Sequence, residues 1–188
     1  MQSFSDVQLT TDRLELRPLC MDDAKNLLRI YSDPTFTRYW STEPWTSLSQ
    51  ATAQIEKDLH ELAAGEQLRL GIFLREHQDL IGTCSLFHLS KLCRRGEVGY
   101  GIAPEYWRRG YMYEAISALL RFAFDELRMN RLEADIDPRN TASERGLKKL
   151  GFKREGFLRE RWIVGEVISD SAIYGLLARE WKTSRGAN

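Results

Sequence analysis

Residues 97–116 run Glu-Val-Gly-Tyr-Gly-Ile-Ala-Pro-Glu-Tyr-Trp-Arg-Arg-Gly-Tyr-Met-Tyr-Glu-Ala-Ile, and this stretch constrains the fold most. Glu97 to Ile102 alternates and predicts a strand. Pro104 stops it, because proline cannot donate to a ladder. Arg108-Arg109-Gly110 follows as a turn, and from Tyr113 the apolar positions Ile116, Leu119 or Leu120, Ala123 and Leu127 recur at helical spacing. A strand therefore runs into a glycine turn that opens a helix. The first N–H groups of a helix are unpaired and carry partial positive charge, which suits phosphate. Gly110 would let a phosphate approach without a Cβ in the way, and Arg108 and Arg109 add charge. The plain alternative is an ordinary strand–helix connection with a solvated arginine pair.

The length of 188 residues suits one domain and a core that needs no staple. Hydrophobic residues are 43% and charged ones 29%, a globular composition. The formal net charge of zero argues against a nucleic-acid surface as the main business. Cys20, Cys84 and Cys93 show no CxxC spacing, and His60, His77 and His88 are scattered, so no metal site is expected. The thiols read as reduced and mostly packed, as in a cytoplasmic protein. No apolar run suits a membrane span, and no secretory signal is seen.

Before the central stretch, Arg13 to Arg17 alternates as a half-buried strand ended by Pro18. Asp22 or Asp23 then caps a helix carrying Ala24, Leu27, Leu28 and Tyr31. Residues 33–47 form a loop with Phe36, Tyr39, Trp40 and Trp45, which packs as a lid, lines a pocket, or both. Ser47 or Ser49 opens a second helix that Gly65 ends. Leu68–Leu74, Leu80–Leu89 and Cys93–Ile102 read as three antiparallel strands. After the central helix, Arg131–Ile136 is a short strand, and Asn140 or Thr141 caps a helix closed at Gly151. Two strands, about 153–163 and 166–178, close the chain, and the polar tail after Trp181 is expected to fray.

This order resembles the GNAT acyltransferase fold. Thr11 to Leu19 is similar to the opening strand of its RimJ/RimL-type branch, the ribosomal-protein N-terminal acetyltransferases and their relatives. Glu97–Tyr100 through Gly110–Ala115 resembles that branch's acetyl-CoA strand and loop, and Asn140–Ser143 with Lys149–Phe152 resembles its second cofactor helix. The resemblance implies one α/β (α+β) domain over 1–188, with its core at about 9–181. Its sheet would be mixed and mostly antiparallel, of about seven strands flanked by about four helices. It departs from the family's phosphate loop at Trp107, where Gln or Arg is usual, and at Met112, where a small residue is usual.

Acetyl transfer to an amine must remove a proton, hold a tetrahedral oxyanion and release a thiolate. Glu97 is the candidate base, on the strand that leads to the cofactor loop; the structural alternative pairs it with Arg94 or Arg95. Backbone groups around Tyr100, Gly101 and Ile102 are candidates for the oxyanion and the pantetheine amide. Arg108, Arg109, Gly110, Tyr111, Met112 and Tyr113 complete the expected cofactor site. The resemblance adds Asn140 on the pantetheine arm and Ser143 as the group assisting the thiolate; the tyrosine used by other branches is replaced by Leu147. Phe36, Tyr39, Trp40 and Trp45 are expected on the acceptor side. The expected partners are acetyl-CoA and an amine, a protein N-terminus or a small molecule, with the chain a monomer or homodimer. A non-catalytic acyl-CoA-binding module is the alternative of another class.

Overall fold

The structure, a computed structural model, describes residues 3–185. Among them are eight strands: β1 (Leu9–Thr10), β2 (Leu14–Arg17), β3 (Leu68–Leu74), β4 (Leu80–Ser90), β5 (Arg95–Ile102), β6 (Arg131–Ile136), β7 (Lys153–Val164) and β8 (Val167–Leu177). The helices are α1 (Ala24–Tyr31), α2 (Pro34–Thr37), α3 (Leu48–Ala64), α4 (Tyr111–Arg121), α5 (Thr141–Lys149) and α6 (Ala178–Arg185). The two-residue β1 and the single turn of α2 are too short to leave a periodic signal. The tail expected to fray continues as α6, and residues 186–188 lie outside the described residues. The strand expected from Cys93 starts at Arg95, because Lys91–Arg94 turns the chain.

One sheet runs β1-β2-β3-β4-β5-β6-β8-β7. Every neighbouring pair is antiparallel except β5 and β6. That parallel pair is short: Arg95, Gly96 and Glu97 face Arg131, Leu132 and Glu133. Beyond Glu97 the strands part. Val98–Ile102 keeps only β4 and Ala134–Ile136 keeps only β8, which leaves a wedge open between them.

The alternation along β5 assigns its two faces. Val98 and Ile102 enter the larger core, with Ile116, Leu119 and Leu120 of α4 and Leu147 of α5. On the opposite face, Phe73, Leu80 and Ala103 join α1 and α3 through Leu27, Ile30, Ala51 and Ile55. Each buried Val, Leu, Ile or Phe side chain among these contributes about 1.5–3 kcal/mol. The wedge lies where the two layers meet.

Asp23, expected as a candidate cap of α1, makes no side-chain cap bond there. Its carboxylate accepts instead from the Cys20 N–H at 2.9 Å and the Arg17 guanidinium at 2.9 and 3.2 Å. Arg17 also lies over the Phe73 ring, 3.7 Å from its centroid, which ties β2 to the α1 layer. Burial opposes the charge on Asp23, but the bonds from Arg17 and Cys20 outweigh it and hold the pKa below the usual aspartate value. Asp23→Asn should therefore lower stability by about 1–3 kcal/mol at neutral pH. Folding depresses this pKa, so its contribution is full above the ordinary aspartate range and is lost as pH falls through the depressed value. Urea midpoints of wild type and variant should converge in acid.

Candidate active site

The turn before α4 opens the helix without a side-chain cap. Gly110 is the N-cap at φ 81° and has no side-chain cap bond, so the first N–H groups of α4 are left without a cap partner. The first helical bond there is from the Glu114 N–H to the Gly110 carbonyl, at 3.1 Å. Glu114 in turn fixes the helix start to the β1–β2 connection. Its carboxylate accepts from Thr11 Oγ1 at 2.6 Å, the Arg13 N–H at 3.0 Å and Arg13 Nε at 2.7 Å. Arg13 Nη1 also donates to the Arg109 carbonyl at 3.0 Å, and its guanidinium sits 4.6 Å from the Tyr111 ring centroid. Burial opposes ionisation of Glu114, yet these bonds hold its pKa below the ordinary glutamate value. Arg13 and Thr11 thus clamp the loop, a role that no local pattern around Arg13 reveals.

Trp107 donates its indole N–H to the Ile102 carbonyl at 2.5 Å and so pins the loop to the end of β5. Met112 is accommodated across the helix pair: a Cβ on Gly146 would lie 2.3 Å from the Met112 methyl. A large residue on α4 is therefore matched by an absent side chain on α5, which accounts for a glycine inside a helix. The Tyr113 ring lies under Lys149, whose ammonium is 4.6 Å from the ring centroid.

The open edge of β5 follows from its bonding. Ala103 N–H donates to Ile81 O at 2.8 Å, so by antiparallel alternation Gly99 and Gly101 turn their N–H groups to β4. Val98, Tyr100 and Ile102 turn theirs the other way: the parallel register pairs the Val98 N–H with the Glu133 carbonyl, and those of Tyr100 and Ile102 face the wedge. Gly101, expected among the cofactor contacts, thus has its backbone N–H directed away from the wedge. The Tyr100 side chain points to the α5 layer, where its hydroxyl lies 2.8 Å from Ser143 Oγ. Burial pushes this phenol up to about 12, against the opposing effect of the Ser143 bond, so it stays protonated at neutral pH. Asn140 Oδ1 accepts from the Ser143 N–H at 3.1 Å and caps α5.

The other face of the wedge carries Glu97, Gly99 and Gly101. A Cβ on Gly101 would lie 2.7 Å from Phe36 and 2.8 Å from Trp40, so these two rings cover the end of β5. They stack at 5.2 Å, and both pack on Tyr31, at 5.1 and 5.3 Å. Tyr31 is the hub that the helical pattern treats as one more apolar residue; its hydroxyl reaches Thr83 Oγ1 at 2.8 Å. Trp45 stacks on the far side of this hub at 4.4 Å, while Tyr39 stays half-buried beside Arg38. Glu97 pairs with neither Arg94 nor Arg95. Its Oε1 is 3.1 Å from His88 Nδ1, and Arg95 turns to Glu133 at 3.5 Å. Cys84, read as a packed thiol, is buried and pushed up to about 12 by that burial. Cys20 and Cys93, expected packed, are exposed, because both lie in turns. Among the described residues, no group of three or more His, Cys, Asp or Glu side chains is placed to hold a metal ion.

A family model for the acetyltransferase (GNAT) domain matches residues 13–153. The chain belongs to the GNAT acetyltransferase family. It is 34% identical to an uncharacterized N-acetyltransferase, p20, of Bacillus licheniformis, over 92% of this chain and 97% of that one. It is 26% identical to the [ribosomal protein uS5]-alanine N-acetyltransferase of Escherichia coli (strain K12), over 95% of each. In fold it is similar to the spermidine N-acetyltransferase of Vibrio cholerae, solved with CoA and spermine, at 22% identity and TM-score 0.81, over 92% of this chain and 99% of that one. The protein is an acetyl-CoA-dependent N-acetyltransferase, and acetyl-CoA is its co-substrate.

The residues present fit that co-substrate: uncapped amides at α4, the exposed Arg108 and Arg109 beside them, and an open strand edge leading to Glu97. Gly110→Val should raise the acetyl-CoA dissociation constant about tenfold, or about 1.4 kcal/mol, by calorimetry. Gly146→Ala should drive Met112 into the loop and weaken binding several-fold. Adding Met112→Ala should recover most of that loss, a coupling that independent sites would not show.

Proposed function

We propose that this GNAT enzyme acetylates the N-terminal amine of a protein or peptide by direct attack on acetyl-CoA. One observation carries the reading: Glu97 is the last paired residue before β5 and β6 part, and it lies on the face that Phe36 and Trp40 cover. A carboxylate there can take the proton from an attacking amine beside the thioester. The free N–H groups of β5 suit the oxyanion. Ser143, backed by the Tyr100 phenol, supplies a proton to the departing thiolate, which supports Tyr100 in place of the tyrosine absent at Leu147. Likeness to the uS5-alanine enzyme over 95% of both chains favours a protein N-terminus. Cys84, buried and protonated, argues against an acetyl-enzyme.

A second reading, a small polycationic amine, draws on a cavity of about 310 Å³ beside the end of β6, which is lined by Asp137, Glu160 and Asp170. Arg139 lines it too and bonds Asp137, which tempers the attraction. Incubation with labelled acetyl-CoA and a panel of N-terminal peptides and polyamines separates the two readings: faster turnover of peptides is expected, and faster turnover of spermidine overturns the first.

Glu97→Gln should lower kcat by about 10²–10⁴-fold with acetyl-CoA binding intact, and Ser143→Ala should cost less. Initial-rate plots should intersect rather than run parallel. Trp40→Ala should raise the Michaelis constant of the acceptor more than that of acetyl-CoA; the reverse would put this ring on the cofactor side.

A further inference from the structure

His88 stands where a regular strand would not put it. In β4 the register jumps from Phe87↔Glu97 to Ser90↔Arg95, so three steps on β4 match two on β5. This is a bulge with one extra residue, and His88 in it has φ 49°, in the left-handed region that is uncommon outside glycine. Strand alternation would send His88 to the face opposite Phe87 and Glu97. The bulge sends it to theirs. Leu89 takes the core side instead, packed against the larger cluster. The Phe87 ring meets the imidazole edge-on at 4.9 Å.

The result is a two-residue path. The Glu97 side chain is 21% exposed and that of His88 is 69% exposed, with 3.1 Å between Oε1 and Nδ1. One ring nitrogen therefore touches the carboxylate while most of the ring stands in water. The charged neighbours are committed elsewhere: Arg95 and Arg131 both bond Glu133, the register partner of Glu97, and Arg131 also bonds Glu155. Among the described residues no lysine or arginine is bonded to Glu97, and His88 is its side-chain partner. A base that has taken a proton must lose it before the next turnover, and imidazole exchanges protons with water near neutral pH.

We infer that His88 is the proton exit of the site, carrying to solvent the proton that Glu97 takes from the acceptor amine. This rests on the reading of Glu97 as the base. The C–N bond forms as the amine lone pair attacks the thioester carbon, and the amine proton passes to Glu97. The C–S bond breaks, and the sulfur takes a proton through Ser143 and Tyr100, which regain it from water. His88 moves the Glu97 proton to water, so the sum is one amide and one free thiol.

The test uses the full chain and whichever of an alanine-terminated peptide, a serine-terminated peptide or spermidine the wild type acetylates fastest. His88→Ala and His88→Gln should each lower kcat roughly tenfold in a dilute buffer of low proton-carrying capacity, with the Michaelis constant for acetyl-CoA unchanged. Added imidazole should restore kcat in both, in a saturable way, as acetylated product measured by mass spectrometry. Glu97→Gln should stay slow at every imidazole concentration. Full activity of both His88 variants, with Glu97→Gln still slow, would overturn the exit while leaving the base in place. Recovery by His88→Gln but not by imidazole would reduce His88 to a positioning residue and also overturn it. An active Glu97→Gln would remove the base itself, and the exit with it.

Discussion

Three residues of parallel pairing hold this site open. β5 and β6 join only at Arg95–Glu97 and Arg131–Glu133, then part. A sheet normally hides the N–H and C=O groups of its inner strands in ladders, and exposing them at the centre of a fold carries a cost. Here the exposed edge is what the proposed function uses, because an extended acyl chain can bind where a strand is missing. Everything around it maintains the gap. The α4 and α5 layer supports one side through Ile116, Leu119, Leu120 and Leu147, and the α1–α3 layer supports the other.

The two faces of β5 divide the chemistry between them. Toward α4 and α5 lie the uncapped helix start, the Tyr100–Ser143 pair and the interlocked Met112 and Gly146. On the reverse lie Glu97, His88, Phe36 and Trp40. Side-chain alternation with a period of two therefore separates the two sets within a single strand, and the proposed function takes the first as the cofactor side and the second as the acceptor side. The Arg13–Glu114 clamp adds precision. It holds the Arg109 carbonyl of the turn before α4 from a different edge of the sheet, so the helix start does not rely on its own cap.

Much of the scaffold was legible in the sequence. Leu68–Leu74 and Arg131–Ile136 match β3 and β6 end to end, because alternation there is clean and the flanking turns are polar. Ser47 and Gly65 bound α3 as their cap chemistry requires. The strand–turn–helix at Glu97–Ile116 was read from proline, glycine and periodicity alone. What escaped depends on contacts distant in sequence. Arg13 meets Glu114 across 101 residues, and no local pattern announces it. Tyr31 sits on a helical stripe like any core residue, yet three rings lean on it. His88 was one of three scattered histidines until the bulge turned it to Glu97. Gly146 looked like a weak point in a helix until Met112 filled the space. Pairing order and register are tertiary facts, so the parting of β5 from β6 was not visible either.

Residue-resolved amide hydrogen exchange, with and without acetyl-CoA, tests the open wedge most directly. Tyr100 and Ile102 should exchange fast in the free protein and slow on acetyl-CoA addition, together with Tyr111, Met112 and Tyr113. Gly99 and Gly101, bonded to β4, should be slow in both states. Slow exchange at Tyr100 and Ile102 in the free protein, or no change there when acetyl-CoA binds, would contradict the account.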